Sequence, residues 1–80
     1  MDDSNKRYKS DADTLKIIGN NITQQRKLKG FSIEQLSFDS GISRSQIHNY
    51  EHALVNMNVT SLKSIADALK INFTDLFVGV

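Results

Sequence analysis

The sequence predicts an all-α fold of five helices in a single domain, and three observations lead to this prediction. Apolar residues recur at spacings of three and four along most of the 80-residue chain, as they do on the buried face of a helix. No segment sustains the strict alternation of apolar and polar residues that indicates a strand. Residues that favour helix caps precede four of the segments, at Ser32, Ser43, Asn58 and Asn72.

The first helix is expected to follow a polar tail. Residues 1–13 lack apolar periodicity, so we expect a flexible tail there and a folded domain at residues 14–80. The basic segment at residues 6–9 could touch a phosphate backbone, although a solvated tail is the simpler interpretation. The helix itself is predicted from about Asp13 to Lys29, with Gly30 as its terminator. Its inner face would carry Leu15, Ile18 and Ile22.

Residues 31–50, with the sequence FSIEQLSFDSGISRSQIHNY, predict two short helices joined by a tight turn. Ser32 is a suitable N-cap for the second helix, and Gln35 is placed to complete a capping box. Gly41 can adopt the left-handed conformation that ends a helix, and Ser43 can cap the third helix. The expected inner residues are Leu36, Ile42, Ile47 and Tyr50. Such a unit exposes one face of its second helix, as is typical of proteins that read DNA bases.

The last two helices are predicted from their caps and their apolar spacing. The fourth helix should start after Asn58, and its buried face would consist of Val59, Leu62, Ile65, Ala66 and Leu69. The short fifth helix should start after Asn72, with the apolar residues Phe73, Leu76 and Phe77.

Charge and composition limit the classes of function. Residues 1–13 carry three basic and four acidic groups (3 − 4 = −1) and the remainder seven and five (7 − 5 = +2), giving the net charge of +1. This excess does not by itself favour nucleic acid, whose partners usually have a pronounced basic face. The absence of cysteine excludes disulfides and cysteine-ligated zinc. The N-terminus is no secretory signal and no apolar run could span a bilayer, so we expect a cytoplasmic protein without membrane contacts.

Six motifs occur in a recognisable order: IGNNI at residues 18–22, Arg26-Lys27 before Gly30, SIEQLS, GISRSQI, Glu51, and finally SLKSIADALKINFTDLF. In this order the chain resembles the lambda repressor and Cro-like (XRE-type) helix-turn-helix family over about residues 15–77. The resemblance implies a compact five-helix domain, usually dimeric, that binds operator DNA and regulates transcription in bacteria or phages. It implies no cofactor.

The resemblance assigns the reading of the DNA major groove to the helix at residues 43–51. The positions that face bases in the family are Arg44, Ser45, Gln46 and Asn49. Arginine can donate two hydrogen bonds to guanine, and glutamine or asparagine can pair with adenine, so we expect a half-site with both kinds of base pair. Without the turn at Gly41 and Ser43 before them, the same residues would indicate only the solvent-exposed face of an amphipathic helix.

Supporting roles fall on residues around this helix. Helix N-termini can hold a phosphate, and we expect phosphate contacts from Arg26, Lys27, Lys29, Ser32, His48, Asn56 and Asn58. The resemblance also implies a partly buried ion pair between Arg26 and Glu51. Lysines at helix ends are, however, usually just solvated.

Departures from the family pattern favour contacts with protein. Ile33 stands where a glutamine commonly bonds the DNA backbone, and residues 52–56 (HALVN) replace a basic turn that contains glycine. Candidates for a homodimer interface are Leu54, Val55, Phe77, Val78 and Val80. Phe38 should be exposed. An interaction module with a protein partner, such as an antitoxin or adaptor, is therefore the alternative function.

An enzyme is not expected. His48 and His52 are four residues apart on a helix and could ligate one metal ion, but no third ligand is evident. No glycine-rich phosphate loop or evident nucleophile stands out, and a domain of this size has little room for a closed pocket.

Overall fold

The chain forms four α-helices followed by a short 3-10 helix. The computed structural model describes the backbone of residues 2–80 and the side chains of residues 11–80. The elements are α1 (Asp2–Leu28), α2 (Ile33–Ser40), α3 (Arg44–Glu51), α4 (Val59–Leu69) and a 3-10 helix at Phe73–Phe77. No strand occurs within residues 2–80, so the predicted all-α class is confirmed. The predicted count of five α-helices is wrong.

The last element differs because it is stabilised by bonds that span only three residues. The Asp75 N–H donates to the Asn72 carbonyl at 2.9 Å, and the Asp75 carboxylate accepts from the Asn72 N–H at 3.0 Å. This i to i+3 pattern is that of a 3-10 helix, which rarely extends beyond a few residues. The backbone then becomes extended at Val78.

Helix α1 begins at Asp2 rather than near Asp13. Helical hydrogen bonds are local, so a helix can continue without an apolar face, and no glycine or proline interrupts residues 2–18. The division of the chain at residue 13 into a tail and a domain stays a prediction. The expected phosphate contact of residues 6–9 involves side chains outside the described part of the chain.

One core joins all five elements. Its buried side chains are Ile18, Ile22, Leu36, Ile47, Tyr50, Leu62, Ile65, Ala66, Leu69 and Leu76. Val59 was expected to be buried but is 66% exposed. It is the first residue of α4 and lies at the margin of the core, where periodicity no longer determines burial. None of the described helices is long and apolar enough to cross a membrane.

The turn between α2 and α3 forms largely as its sequence predicts. The Ser32 and Ser43 hydroxyls cap the two helices, accepting from the N–H groups of Gln35 and Gln46 at 3.0 and 3.1 Å. Gly41 has a φ of 75°, in the left-handed region. The predicted capping box is wrong in its second half, because the Gln35 amide donates at 3.0 Å to the charged Asp39 carboxylate one turn later.

Helices α1 and α3 are in direct backbone contact at Gly19. A Cβ atom at this position would lie 2.5 Å from the Tyr50 carbonyl oxygen and 2.8 Å from that of Glu51. Any residue larger than glycine would therefore push the two helices apart. This close approach fixes the C-terminal end of α3 relative to α1.

Candidate nucleic-acid interface

Helix α3 buries one side and exposes the other. Ile47 and Tyr50 are 0% and 2% exposed and belong to the core. Arg44, Ser45 and His48 are exposed on the remaining surface. Because the buried side is fixed in the core, the exposed side chains form a row in a defined orientation.

Arg44 starts this row and is paired across the turn. Its Nη1 lies 3.0 Å from Oε2 of Glu34, in the first turn of α2, and the two side chains are 67% and 75% exposed. The arginine therefore reaches solvent while one of its amino groups bonds to α2. Sequence reasoning missed this pair, because the two residues are in different helices.

Gln46 is directed differently from its neighbours. Its Nε2 donates to the Tyr50 hydroxyl at 3.1 Å and to Ser61 Oγ at 3.2 Å. The Tyr50 hydroxyl also accepts from the Asn58 N–H at 3.1 Å. The amide nitrogen of Gln46 thus faces the start of α4, and only its carbonyl oxygen is left to accept further bonds. Asn49, also expected to read bases, is half-buried.

The spacing of Gln46 and Tyr50, four apart in a helix, was the available signal for part of this network. The contribution of Ser61 had no such signal, because it comes from another helix. The network ties the exposed face of α3 to the N-terminus of α4.

Arg26 and Glu51 form an ion pair between α1 and the end of α3. Arg26 Nε and Nη2 donate to the two carboxylate oxygens at 2.7 and 3.1 Å. Arg26 Nη1 also donates to the Phe31 carbonyl at 2.9 Å. The side chains are only 12% and 3% exposed. In this bidentate geometry each charge has an oppositely charged partner inside the fold. A buried carboxylate without such a partner would destabilise the protein.

The start of α4 was expected to hold a phosphate. Asn58 Oδ1 caps the helix, accepting from the Ser61 N–H at 2.7 Å and the Thr60 hydroxyl at 2.9 Å. The Asn58 N–H is bonded to Tyr50. Only its Nδ2 group therefore remains as a donor for a phosphate at this residue.

The other expected phosphate ligands, Lys27, Lys29, Ser32, His48 and Asn56, are exposed. The Ser32 hydroxyl is already used as an acceptor in the α2 cap. The rings of His48 and His52 lie against each other with centroids 4.4 Å apart. Within the described residues, no group of three or more histidine and acidic side chains could hold a metal ion.

The candidate dimer residues occupy two places in the fold. Leu54 and Val55 follow α3 and are 63% and 40% exposed, while Val78 and Val80 are 66% and 62% exposed. Phe77 is instead partly buried, edge-to-face with Phe73 at 5.0 Å. Phe38 is 85% exposed, as expected.

The C-terminal segment is fastened to α1. Asn21 Nδ2 donates to the carbonyls of Leu76 and Val78, both at 2.9 Å. The exposed valines therefore extend from a fixed part of the backbone rather than from a loose end.

The sequence matches known proteins over most of its length. A family model described as "Helix-turn-helix" matches residues 22–76. The HTH-type transcriptional regulator SlrR of Bacillus subtilis (strain 168) is 39% identical over 62 residues, or 76% of this chain and 41% of SlrR. The chain thus spans less than half the length of that relative. The uncharacterized HTH-type transcriptional regulator y4dJ of Sinorhizobium fredii is 30% identical over 64 residues, covering 80% of this chain and 83% of y4dJ.

Solved structures share the fold. The restriction-modification controller protein C.AhdI from Aeromonas hydrophila superposes with a TM-score of 0.77 at 33% identity, covering 79% of this chain and 96% of C.AhdI. An HTH_3 family transcriptional regulator from Vibrio cholerae has a TM-score of 0.81 at 24% identity, covering 85% of this chain and 38% of that protein. The second similarity shows the fold alone.

Proposed function

This chain belongs to the helix-turn-helix family of transcriptional regulators, a family without enzymatic activity, and on that premise we propose that it regulates transcription by binding specific DNA sequences. In this proposal α3 lies in the major groove of double-stranded DNA. The observation that supports it best is the polar row on α3, which is exposed while Ile47 and Tyr50 behind it are buried. The protein would act in the cytoplasm without a cofactor.

The proposed base contacts come from Arg44, Ser45, Gln46 and Asn49. Arg44 would donate to guanine, and Asn49 would pair with adenine. Gln46 would use its carbonyl oxygen to accept from an exocyclic amino group, since its Nε2 bonds to Tyr50 and Ser61.

The proposed phosphate contacts surround these residues and would set the register on the duplex. They comprise Arg26, Lys27, Lys29, Ser32, His48, Asn56 and Asn58. Arg26 is mostly enclosed by Glu51 and Phe31, so its contribution would be small compared with that of the exposed lysines.

We further propose that the protein binds as a homodimer to a near-palindromic operator. The exposed apolar residues Leu54, Val55, Val78 and Val80, together with the edge of Phe77, would form the interface. Such a dimer would place two copies of α3 about one DNA turn apart, roughly 34 Å.

A titration by fluorescence anisotropy tests this function. The probes are the duplex that the chain enriches from a random-sequence library, and a scrambled duplex of the same composition. We expect the enriched duplex to bind about 10³-fold or more tightly, and both affinities to fall steeply with salt as counterions are released. Equal affinity for both probes, or no salt dependence, would contradict the proposal.

A protein-binding module is the second candidate. It is favoured by the 85% exposure of Phe38 on α2, since a large exposed apolar side chain often indicates a protein contact. The net charge of +1 also provides little attraction for DNA. In this case the two duplexes would bind with the same weak affinity.

A further inference from the structure

Glu34 is an acidic residue on the surface that is proposed to face DNA. It lies in the first turn of α2, two residues after the proposed phosphate ligand Ser32. A carboxylate at this place repels phosphates and weakens binding to every DNA sequence. Its presence on a DNA-binding surface therefore needs a compensating benefit.

The structure offers such a benefit through the group that Glu34 contacts. Its Oε2 accepts a hydrogen bond from Arg44 Nη1 at 3.0 Å, so the pair links the first turn of α2 to the first residue of α3. Both side chains are mostly exposed, and an exposed ion pair contributes little to folding stability. The pair is thus better suited to orienting Arg44 than to stabilising the fold.

The chemistry of the guanidinium shows what this orientation provides. Arginine has five N–H donors in one plane. Glu34 engages Nη1, which leaves the edge formed by Nε and Nη2 with two parallel donors. Those two donors match the O6 and N7 acceptors of guanine in the major groove.

We propose that Glu34 is a positioning residue that determines specificity by fixing Arg44 for guanine. This inference rests on the proposed function. The repulsion by the carboxylate is the same for all DNA, whereas the fixed arginine favours only duplexes with guanine at the matching position. Glu34 therefore increases the ratio of specific to non-specific affinity while it lowers the non-specific affinity itself.

The test compares Glu34→Gln with the wild-type chain on the enriched and the scrambled duplex. Glutamine keeps the size of the side chain but removes its charge. We expect tighter binding to the scrambled duplex. The ratio of the affinity for the enriched duplex to that for the scrambled duplex should fall by about fivefold or more, which is a coupling typical of two residues in direct contact. In an Arg44→Gln background, Glu34→Gln should leave the ratio unchanged.

Asp67→Asn is the matched control, because Asp67 is also exposed and paired, with Lys63 at 2.7 Å. It removes the same charge from α4 and should leave the ratio unchanged. Two results would overturn the inference while leaving the proposed function intact. One is an equal change in the affinities for both duplexes in Glu34→Gln. The other is the same loss of the specificity ratio when Glu34→Gln is made in the Arg44→Gln background. If the wild-type chain enriches no sequence, the proposed function and the inference both fail.

Discussion

Gln46 shows that a polar residue of α3 can use its hydrogen-bond donors within the protein rather than present them to solvent. Its amide nitrogen bonds to Tyr50 and Ser61, whereas Arg44 two residues earlier reaches solvent. Both residues are polar, but positions two apart in a helix do not share a face. Gln46 is therefore directed towards Ser61 at the start of α4, whereas Arg44 is directed towards Glu34 at the start of α2.

Arg44→Ala should weaken binding to the enriched duplex by about 1–3 kcal/mol, because two hydrogen bonds to a base are lost. Binding to the scrambled duplex should change much less, and both affinities can be measured by fluorescence anisotropy. Lys70→Ala, a loss of positive charge at the end of α4, serves as the control. An enriched-duplex affinity unaffected by Arg44→Ala would remove this residue from the reading surface.

Ala53 has a φ of 56°, a conformation that costs a residue with a Cβ atom more than glycine. We expect Ala53→Gly to raise the free energy of unfolding by about 0.5–1 kcal/mol, after subtracting the greater freedom of glycine in the unfolded chain. Urea denaturation measures this change. As a control, alanine to glycine at Ala12, which is exposed within α1, should not raise the stability of the protein. If Ala53→Gly lowers the stability, the positive φ of Ala53 causes no strain.

Among the helices, α3 is held by contacts with each of its neighbours. The Arg26–Glu51 pair joins it to α1, and the Tyr50 hydroxyl joins it to the start of α4. In its proposed role, α3 must keep its orientation to within a small error if its side chains are to match base edges. These buried polar contacts supply that constraint, whereas apolar packing alone tolerates sliding.

Glu51→Gln should lower the free energy of unfolding by about 3 kcal/mol, since it leaves the mostly buried Arg26 charge without its partner. Chemical denaturation followed by circular dichroism gives the value. Asp67→Asn, which breaks the exposed pair with Lys63, should change it by less than about 1 kcal/mol. Similar effects for the two variants would mean that the buried pair contributes no more than a surface pair.

Tyr50→Phe should cost about 1–3 kcal/mol of stability, because the buried Tyr50 side chain loses the hydroxyl that accepts from the Asn58 N–H and from Gln46 Nε2. Ser61→Ala removes only one of two acceptors of Gln46, so its effect should be smaller. Thermal and urea denaturation of the two variants provide the comparison. If Tyr50→Phe unfolds like the wild-type chain, the hydroxyl does not hold α4 against α3.

For the molecule as a whole, the proposed homodimer would bring two copies of α3 to the DNA. Leu54→Glu should shift the protein from dimer to monomer in sedimentation equilibrium, because a charge would be buried in the proposed interface. Val59→Glu is the control, since Val59 is equally exposed but outside that interface. A wild-type chain that is monomeric at every concentration, or equal effects of the two substitutions, would contradict the dimer.

The whole molecule also shows where sequence reasoning succeeded. The caps at Ser32, Ser43 and Asn58 and the turn at Gly41 formed as predicted. These features depend on hydrogen bonds and backbone angles within a few residues. They can therefore be predicted from the identities of neighbouring residues in the sequence. The core positions followed from helical periodicity, except Val59 at a helix end and Leu15, which is only half-buried and lies outside the core cluster.

By itself, the sequence determined the all-α class, the turn at Gly41 and the side of α3 that is buried. Only the tertiary structure decided that Arg44 pairs with Glu34 and that Gln46 bonds to Ser61. The physical reason is that both contacts join side chains from different helices, whose relative positions depend on packing of the entire core. Spacing along the chain indicates which residues form a helix or a turn and which side of a helix is buried. It does not indicate which side chains of different helices meet.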